Sequence, residues 1–256
     1  MLIPKTVGFL TLIEREYYRF TRLAAQTIAP PVITTLLFIL IFGYSLGEKI
    51  TTIHGFSYIL YILPGLAVMG VMTNSFSNSS TSLFMARMDR SIENILVAPL
   101  SYFQIVASFV IGGVTRGLVV GIMTLLVAVI MTGMTFHSYA GTIFFLTLIA
   151  AIFSSLGIIA ALWAEDWDHL ATFTNFVITP FLYLGGVFYS IEMLPPFWKK
   201  VSYANPIFYL VDGFRRQVLG VSDLPLTYSL GMLLILSLGF FLLAVRLFQK
   251  GWKLIQ

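Results

Sequence analysis

Six stretches of the sequence, near residues 24–46, 56–82, 105–133, 138–163, 171–190 and 226–248, are long and apolar enough to cross a bilayer, and none contains Asp or Glu. A spanning helix needs about 20 mostly apolar residues, because backbone groups inside hydrocarbon must be satisfied internally. The remaining sequence offers no route to a soluble fold. The whole chain has 15 Lys and Arg and 11 Asp and Glu, 10% of its residues, while 58% is hydrophobic and mean hydropathy is +0.92. Soluble domains carry about 25% charged residues. A soluble enzyme, a nucleic-acid module and a disordered scaffold are therefore excluded. The runs also lack the ~10-residue alternation of a membrane β-barrel. The expected fold is all-α and polytopic, with six transmembrane helices and further short helices at their ends.

Basic residues predict the orientation. With six spans both termini share a side, which holds Lys5, Arg15, Arg19, Arg22, Arg87, Arg90, Arg246, Lys250 and Lys253. The other side holds Lys49, Lys199, Lys200, Arg215 and Arg216. Lys and Arg concentrate on the cytosolic side, so both termini are expected there. The pI near 9.3 is then a topology signal rather than a mark of nucleic acid. Residues 1–23 read as an amphipathic interface helix, because Val7, Leu10, Ile13 and Tyr17 recur at helical spacing while Glu14, Arg15, Arg19 and Arg22 fall elsewhere. It is either a plain anchor or a lever that also touches a cytosolic partner. Residues 24–249 form the transmembrane domain, and 250–256 a cytosolic tail. No cleavable signal peptide is visible.

Two connections are more than turns. Between Met85 and Gln104, Ser91 is placed to cap a short helix, Ile92, Ile95 and Leu96 give it an apolar patch, and Pro99 stops it. Such a face docks into a partner or lies against the bilayer or the bundle. On the opposite side, Pro195 and Pro196 break the chain after the fifth run. Asn205 followed by Pro206 starts another amphipathic helix, in which Asp212 lies three and four residues before Arg215 and Arg216, a spacing suited to a local pair. These broken apolar segments are expected to dip into the membrane and return.

Polar groups interrupt the spans. Asn74, Asn78 and Thr81 share one helical face in the second run, with Ser75, Ser79 and Ser82 beside them. Asn175, Thr179 and Tyr183 make a ridge in the fifth. The two ridges line a pathway, or they hold helices together. Arg116 lies well inside the third run, where a charge is costly, so it is expected to pair, to face water or to snorkel to the cytosolic rim, while Gly112, Gly113 and Gly117 allow another helix to approach.

The chemistry that is missing narrows the function. There is no G-x-x-x-x-G-K-[ST] phosphate loop, no H-E-x-x-H and no G-x-S-x-G. His54, His137 and His169 are scattered singly and Cys is absent, which argues against metal or thiol chemistry. Intramembrane carboxylates typical of ion-coupled transport are missing too. A transporter built this way needs its energy from another subunit.

Four motifs, SIENILVAPLS at 91–101, GGVTRG at 112–117, YLGGVFYSIEMLPPFW at 183–198 and NPIFYLVDGFR at 205–215, occur in order between the runs. With them the chain resembles the ABC-2-type permease subunits of ATP-binding cassette transporters, and among these the YadH-like inner-membrane permeases of Gram-negative bacteria. The resemblance covers about residues 9–249. It implies a multi-pass protein of the bacterial inner membrane that pairs with a second permease copy and with two copies of a cytosolic ATP-binding subunit. ATP and Mg would then belong to that partner, with no cofactor in this chain. It further implies a coupling helix at about Ser91–Pro99, with Ile92, Glu93, Leu96 and Val97 at the ATPase groove, and contacts from Glu14 and Arg15 on the interface helix. Residues 191–219, with Pro195, Pro196, Asn205, Pro206, Asp212 and Arg215, match the extracytoplasmic half-helices that cap the pathway. The family's cargos include glycans, lipids, drugs and peptides, and the weakly polar lining favours an amphipathic one.

Three other readings stand beside this one. An ion-coupled secondary transporter would need buried carboxylates at mid-span. A lipid-modifying enzyme would need convergent acids and bases, for which Glu165, Asp166, Asp168 and His169 are the sole candidate. A sensor or scaffold would use the 92–97 patch for a partner other than an ATPase.

Overall fold

The computed structural model describes residues 2–22, 24–42 and 52–254. Its helices are α1 (Leu2–Thr21), α2 (Ala24–Ile41), α3 (Tyr58–Met88), α4 (Ser91–Val97), α5 (Tyr102–Thr132), α6 (Tyr139–Trp163), α7 (Trp167–Phe173), α8 (Thr179–Tyr183), α9 (Pro196–Ala204), α10 (Pro206–Leu219) and α11 (Leu226–Gln249). A π-helical turn, Thr174–Ile178, joins α7 to α8, and a 3-10 turn spans Ile191–Met193. Residues 43–46 of the first apolar run, Lys49 and the last two residues of the tail lie outside the described residues.

Among the described residues, α3, α5, α6 and α11 are each long and apolar enough to span, and α2 joins them if it is taken with α1 as one bent span. The axes of α1 and α2 meet at 57°. With Glu14, Arg15 and Arg19 reaching its surface and Arg22 just past its end, α1 suits the membrane interface rather than the hydrocarbon. The fifth run is helical without a gap from Trp167 to Tyr183, as α7, the π-turn and α8, and ends short of residue 190. Pro180 supplies no N–H, and a π-turn precedes it in which both the N–H and the hydroxyl of Thr179 donate to the Thr174 carbonyl, the hydroxyl at 3.0 Å. Gly186, at φ 73°, then turns the chain away from helix.

The helix boundaries follow local chemistry. Ser101 and Gln104 form a reciprocal capping box that starts α5 three residues before the apolar run. The Ser138 hydroxyl caps α6 by accepting from Gly141 N–H at 3.1 Å. At α4 the cap differs from expectation. Arg90 occupies the cap position at φ 60°, and Asp89, rather than Ser91, supplies the accepting side chain, 2.9 Å from Ser91 N. Pro99 forces Ala98 into extended backbone and ends the helix as expected.

The centre of the bundle is α3. In its most apolar stretch 67% of residues are buried, against 17% in α11, which turns most of its surface outward. Without a hydrophobic force between helices in lipid, close packing has to hold them, and small residues permit it. A side chain on Gly157 of α6 would stand 2.6 Å from the Phe76 carbonyl of α3. Gly113 and Gly117 of α5 likewise face Ser79 and Ser75. This is the close approach expected of those glycines.

The helix ends gather on two faces. Arg87, at the end of α3, donates to the carbonyls of Ala161 and Ala164 at the end of α6, the latter at 3.0 Å. Lys253, beyond α11, reaches Glu165 at 2.6 Å. Together with α1 and α4 these ends form the α1 face. The opposite α10 face carries α9, α10 and the starts of α3, α6 and α11. His137 and Ser138 there donate backbone N–H groups to Val218 and Gln217 at 2.9 Å each.

Candidate functional site

On the α1 face, α4 is a seven-residue helix held by one side. Ile92 and Ile95 are buried in the core, Leu96 is half-buried, and Glu93, Asn94 and Pro99 are exposed. Val97 is 86% exposed. Within the protomer Ile92 therefore faces the core rather than outward. A helix this short has no stability of its own and anchors itself through residues at i, i+3 and i+4, which consumes Ile92 and Ile95. Glu93, Val97 and the free edge of Leu96 are what it presents.

Helix α1 is clamped beside it. Glu16 is 1% exposed; its carboxylate accepts from Arg15 at 3.0 Å, from Arg19 at 3.3 Å and from the Ser82 hydroxyl at 2.7 Å. A side chain on Gly112 of α5 would come 2.7 Å from the Glu16 Cβ, so that glycine lets α1 settle against the span. Arg15 also lies over the Phe109 ring at 5.5 Å. Of the two predicted partner contacts, Glu14 is exposed, while Arg15 is partly committed inside the protomer.

The polar ridge of α3 faces α1 and α5. Arg19 donates to the Asn78 side-chain oxygen at 2.9 Å and its carbonyl at 2.8 Å, and to the Thr81 hydroxyl at 3.4 Å. One turn deeper, Arg116 donates to Asn74 Oδ1 at 3.3 Å. Asn74 lies near the middle of the 31-residue α3, so Arg116 pairs at that level, one of the outcomes expected of it. It finds an oxygen on the neighbouring helix, which satisfies part of the guanidinium where water is scarce. The second ridge has different surroundings. Asn175 and Tyr183 are exposed on the outer side, Thr179 bonds its own helix, and Tyr183 stacks on Phe188 at 5.8 Å. The structure does not bring the two ridges together within one protomer. Beside Asn74 a cavity of about 260 Å³ between α2, α3 and α5 is lined by Gln26, Thr27, Thr34, Thr73 and Thr124.

On the α10 face, Pro195 and Pro196 are exposed at the start of α9, and Pro206 opens α10. Asn205 caps α10 by accepting from Ile207 N–H at 3.0 Å, while its amide donates to the Phe181 carbonyl at 2.6 Å. Asp212 and Arg215, both buried, do not form the local pair their spacing suggested. Asp212 accepts from the backbone N–H groups of Asp223 at 2.7 Å and Leu224 at 3.1 Å. Arg215 donates to the carbonyls of Gly186 at 2.6 Å and Tyr61 at 3.4 Å, and covers the Tyr61 ring at 4.0 Å. In a buried helix, backbone groups left over by neighbouring turns are the available partners. Asp223 extends the network, accepting from Ser190 at 2.8 Å, Ile191 N–H at 3.1 Å and meeting His54 Nε2 at 2.9 Å. Sequence reasoning missed Glu16, Asp223, His54 and Ser190. Only Glu16 left a signal, its i, i+3 spacing to Arg19.

Among the described residues no cluster of three His, Asp or Glu could hold a metal ion. A profile of the ABC-2 type transporter family matches residues 7–219. The chain belongs to the ABC-2 type transporter family. Over 245 residues, 96% of both chains, it is 41% identical to "Inner membrane transport permease YadH" of Escherichia coli K12. It is also 26% identical over 252 residues to "Nodulation protein J" of Sinorhizobium fredii, covering 95% of this chain and 93% of that one. As an ABC-2 permease with several spanning helices it is a multi-pass inner-membrane transport protein, and the family as a whole works with an ATP-binding partner. ABC-2 permeases are transport subunits, not enzymes.

Proposed function

We propose that this chain forms half of the translocation pathway of an exporter, pairing with a second permease copy and driven by two copies of a separate cytosolic ATPase. ATP and Mg are held by that partner. The observation that carries the reading is α4: a short helix whose inner face is fixed to the end of α3 and whose outer face offers Glu93, Leu96 and Val97. A rigid helix anchored to a span transmits displacement to it. Closure of the ATPase pair would press on α4 and shift the dimer between inward-open and outward-open states, and cargo biases that equilibrium only through unequal affinity for the two. The α1 face lies in the cytosol on this reading, since it collects Arg15, Arg19, Arg22, Arg87, Arg90, Arg246, Lys250 and Lys253. Both termini are then cytosolic. α9 and α10 cap the extracytoplasmic side, and an amphipathic, lipid-like, drug-like or glycan cargo passes along α3 and the α7–α8 segment.

Purification of the tagged chain from its native host in mild detergent, with mass spectrometry of what accompanies it, tests the reading. A stoichiometric cassette-type ATPase and a complex mass near two of each chain support it. A permease without ATPase, under conditions that keep a known complex of the same class intact, overturns it in favour of a sensor.

A further inference from the structure

A cavity of about 740 Å³ opens on the α1 face between α1, the last turns of α3 and the start of α4, lined by Arg15, Tyr18, Arg19, Arg22, Asp89 and Ser91 among others. Its charge is not balanced by its acids. Both Glu16 oxygens are occupied by Arg15, Arg19 and Ser82, and Asp89 accepts from Ser91. Arg22 makes no side-chain bond among the described residues, and Arg19 Nε is buried without a partner. Arg22, exposed and lining the cavity, is free to take an oxygen anion, which guanidinium meets in a planar, charge-assisted geometry. The cavity's position adds a second constraint. It lies where an interfacial helix meets the end of a span, the depth at which lipid headgroups sit. Deeper along the groove between α3 and α5, Arg116 of α5 has its Nε buried and unpartnered as well, beside Asn74 of α3.

We propose that this cavity binds a phosphate-bearing anionic headgroup through Arg22 and Arg19, with the attached chain left in the bilayer. The inference rests on the exporter reading for its purpose, which is to receive the charged end of an amphipathic cargo; its test does not require an ATPase.

The purified full chain in detergent is titrated with lysophosphatidic acid, with lysophosphatidylcholine of the same acyl chain, and with inorganic phosphate, binding being read by native mass spectrometry and calorimetry. Lysophosphatidic acid is expected to bind, and Arg22→Gln to weaken it about tenfold, the loss of one charge-assisted contact. Because Arg22 bonds nothing in the fold, that variant retains the wild-type melting temperature. Competition by inorganic phosphate would assign the site to the anion alone; failure to compete would assign it to a headgroup on a chain. Equal binding of lysophosphatidylcholine, or unchanged lysophosphatidic acid affinity in Arg22→Gln, overturns the proposal. An ATPase found in the native complex while these titrations fail would leave the exporter reading standing and remove this one.

Discussion

The Ser82 hydroxyl donates to the buried carboxylate of Glu16 at 2.7 Å, tying the interfacial helix α1 to the core helix α3 across 66 residues of sequence. Glu16 holds Arg15 and Arg19 in the same place, so one acid orders two cations beside the membrane. Replacing it leaves Arg19 near the core without its counter-charge. Glu16→Leu is expected to cost about 2 kcal/mol, less than for a fully buried pair because Arg19 is partly solvated. Thermal unfolding in detergent reads it. Gly112→Val, which drives a side chain into the same contact from α5, should cost ~1–3 kcal/mol through overpacking.

The exposed edge of α4 separates coupling from folding. Val97→Asp adds a charge to a residue that is 86% exposed, and its melting temperature should stay at the wild-type value. ATP-driven transport by the assembled complex should fall about tenfold or more, since a desolvated, unpaired carboxylate costs over 1.4 kcal/mol at an interface. Leu96→Asp should act likewise. Transport at the normal rate by both variants would remove α4 from the coupling path.

On the α10 face the two arginines of the NPIFYLVDGFRR segment are unequal. Arg215 is buried on Tyr61, whereas Arg216 is half-buried with a 3.3 Å bond to Ser222. Arg216→Gln should change stability by less than about 0.5 kcal/mol. Asp212→Asn offers one oxygen to two backbone donors and turns its amide toward one of them, for a cost of ~1–3 kcal/mol. Equal effects of the two substitutions, measured side by side, would contradict the network described.

The tail is fastened by a pH-dependent tie. The Lys253 ammonium, bonded to Glu165 at 2.6 Å, holds that carboxyl below its ordinary value of 4.5. A carboxyl depressed in the folded state contributes above its unfolded pKa, and the contribution is lost as pH falls through the folded one. The melting temperature of the wild type should therefore exceed that of Lys253→Gln at pH 7, with the small gap closing as the pH drops below 4.5. A gap that persists unchanged in acid would mean that the pair is not what ties the tail.

The membrane class and most spans were legible because hydrocarbon imposes a one-dimensional rule: a long run without charges becomes a helix. The ends of α6 and α11, the amphipathic α1, the Pro99 stop and the Asn205–Pro206 start follow from local chemistry of the same kind. The fifth run stops at Tyr183 for a local reason too, since hydropathy counts Gly185–Gly186 as harmless while the backbone leaves the helix there, with Gly186 at φ 73°.

What the sequence determined by itself is the solvent each segment seeks, the sites where helices begin and end, and the family. Tertiary structure decided which polar group meets which. Asp212 passes over Arg215 for the N–H groups of Asp223 and Leu224, Arg116 takes Asn74, and Ile92 turns inward while Val97 stays free. In a buried, poorly hydrated interior each donor and acceptor must find a partner within about 3 Å, and which partners stand that close is set by helix packing, not by spacing along the chain.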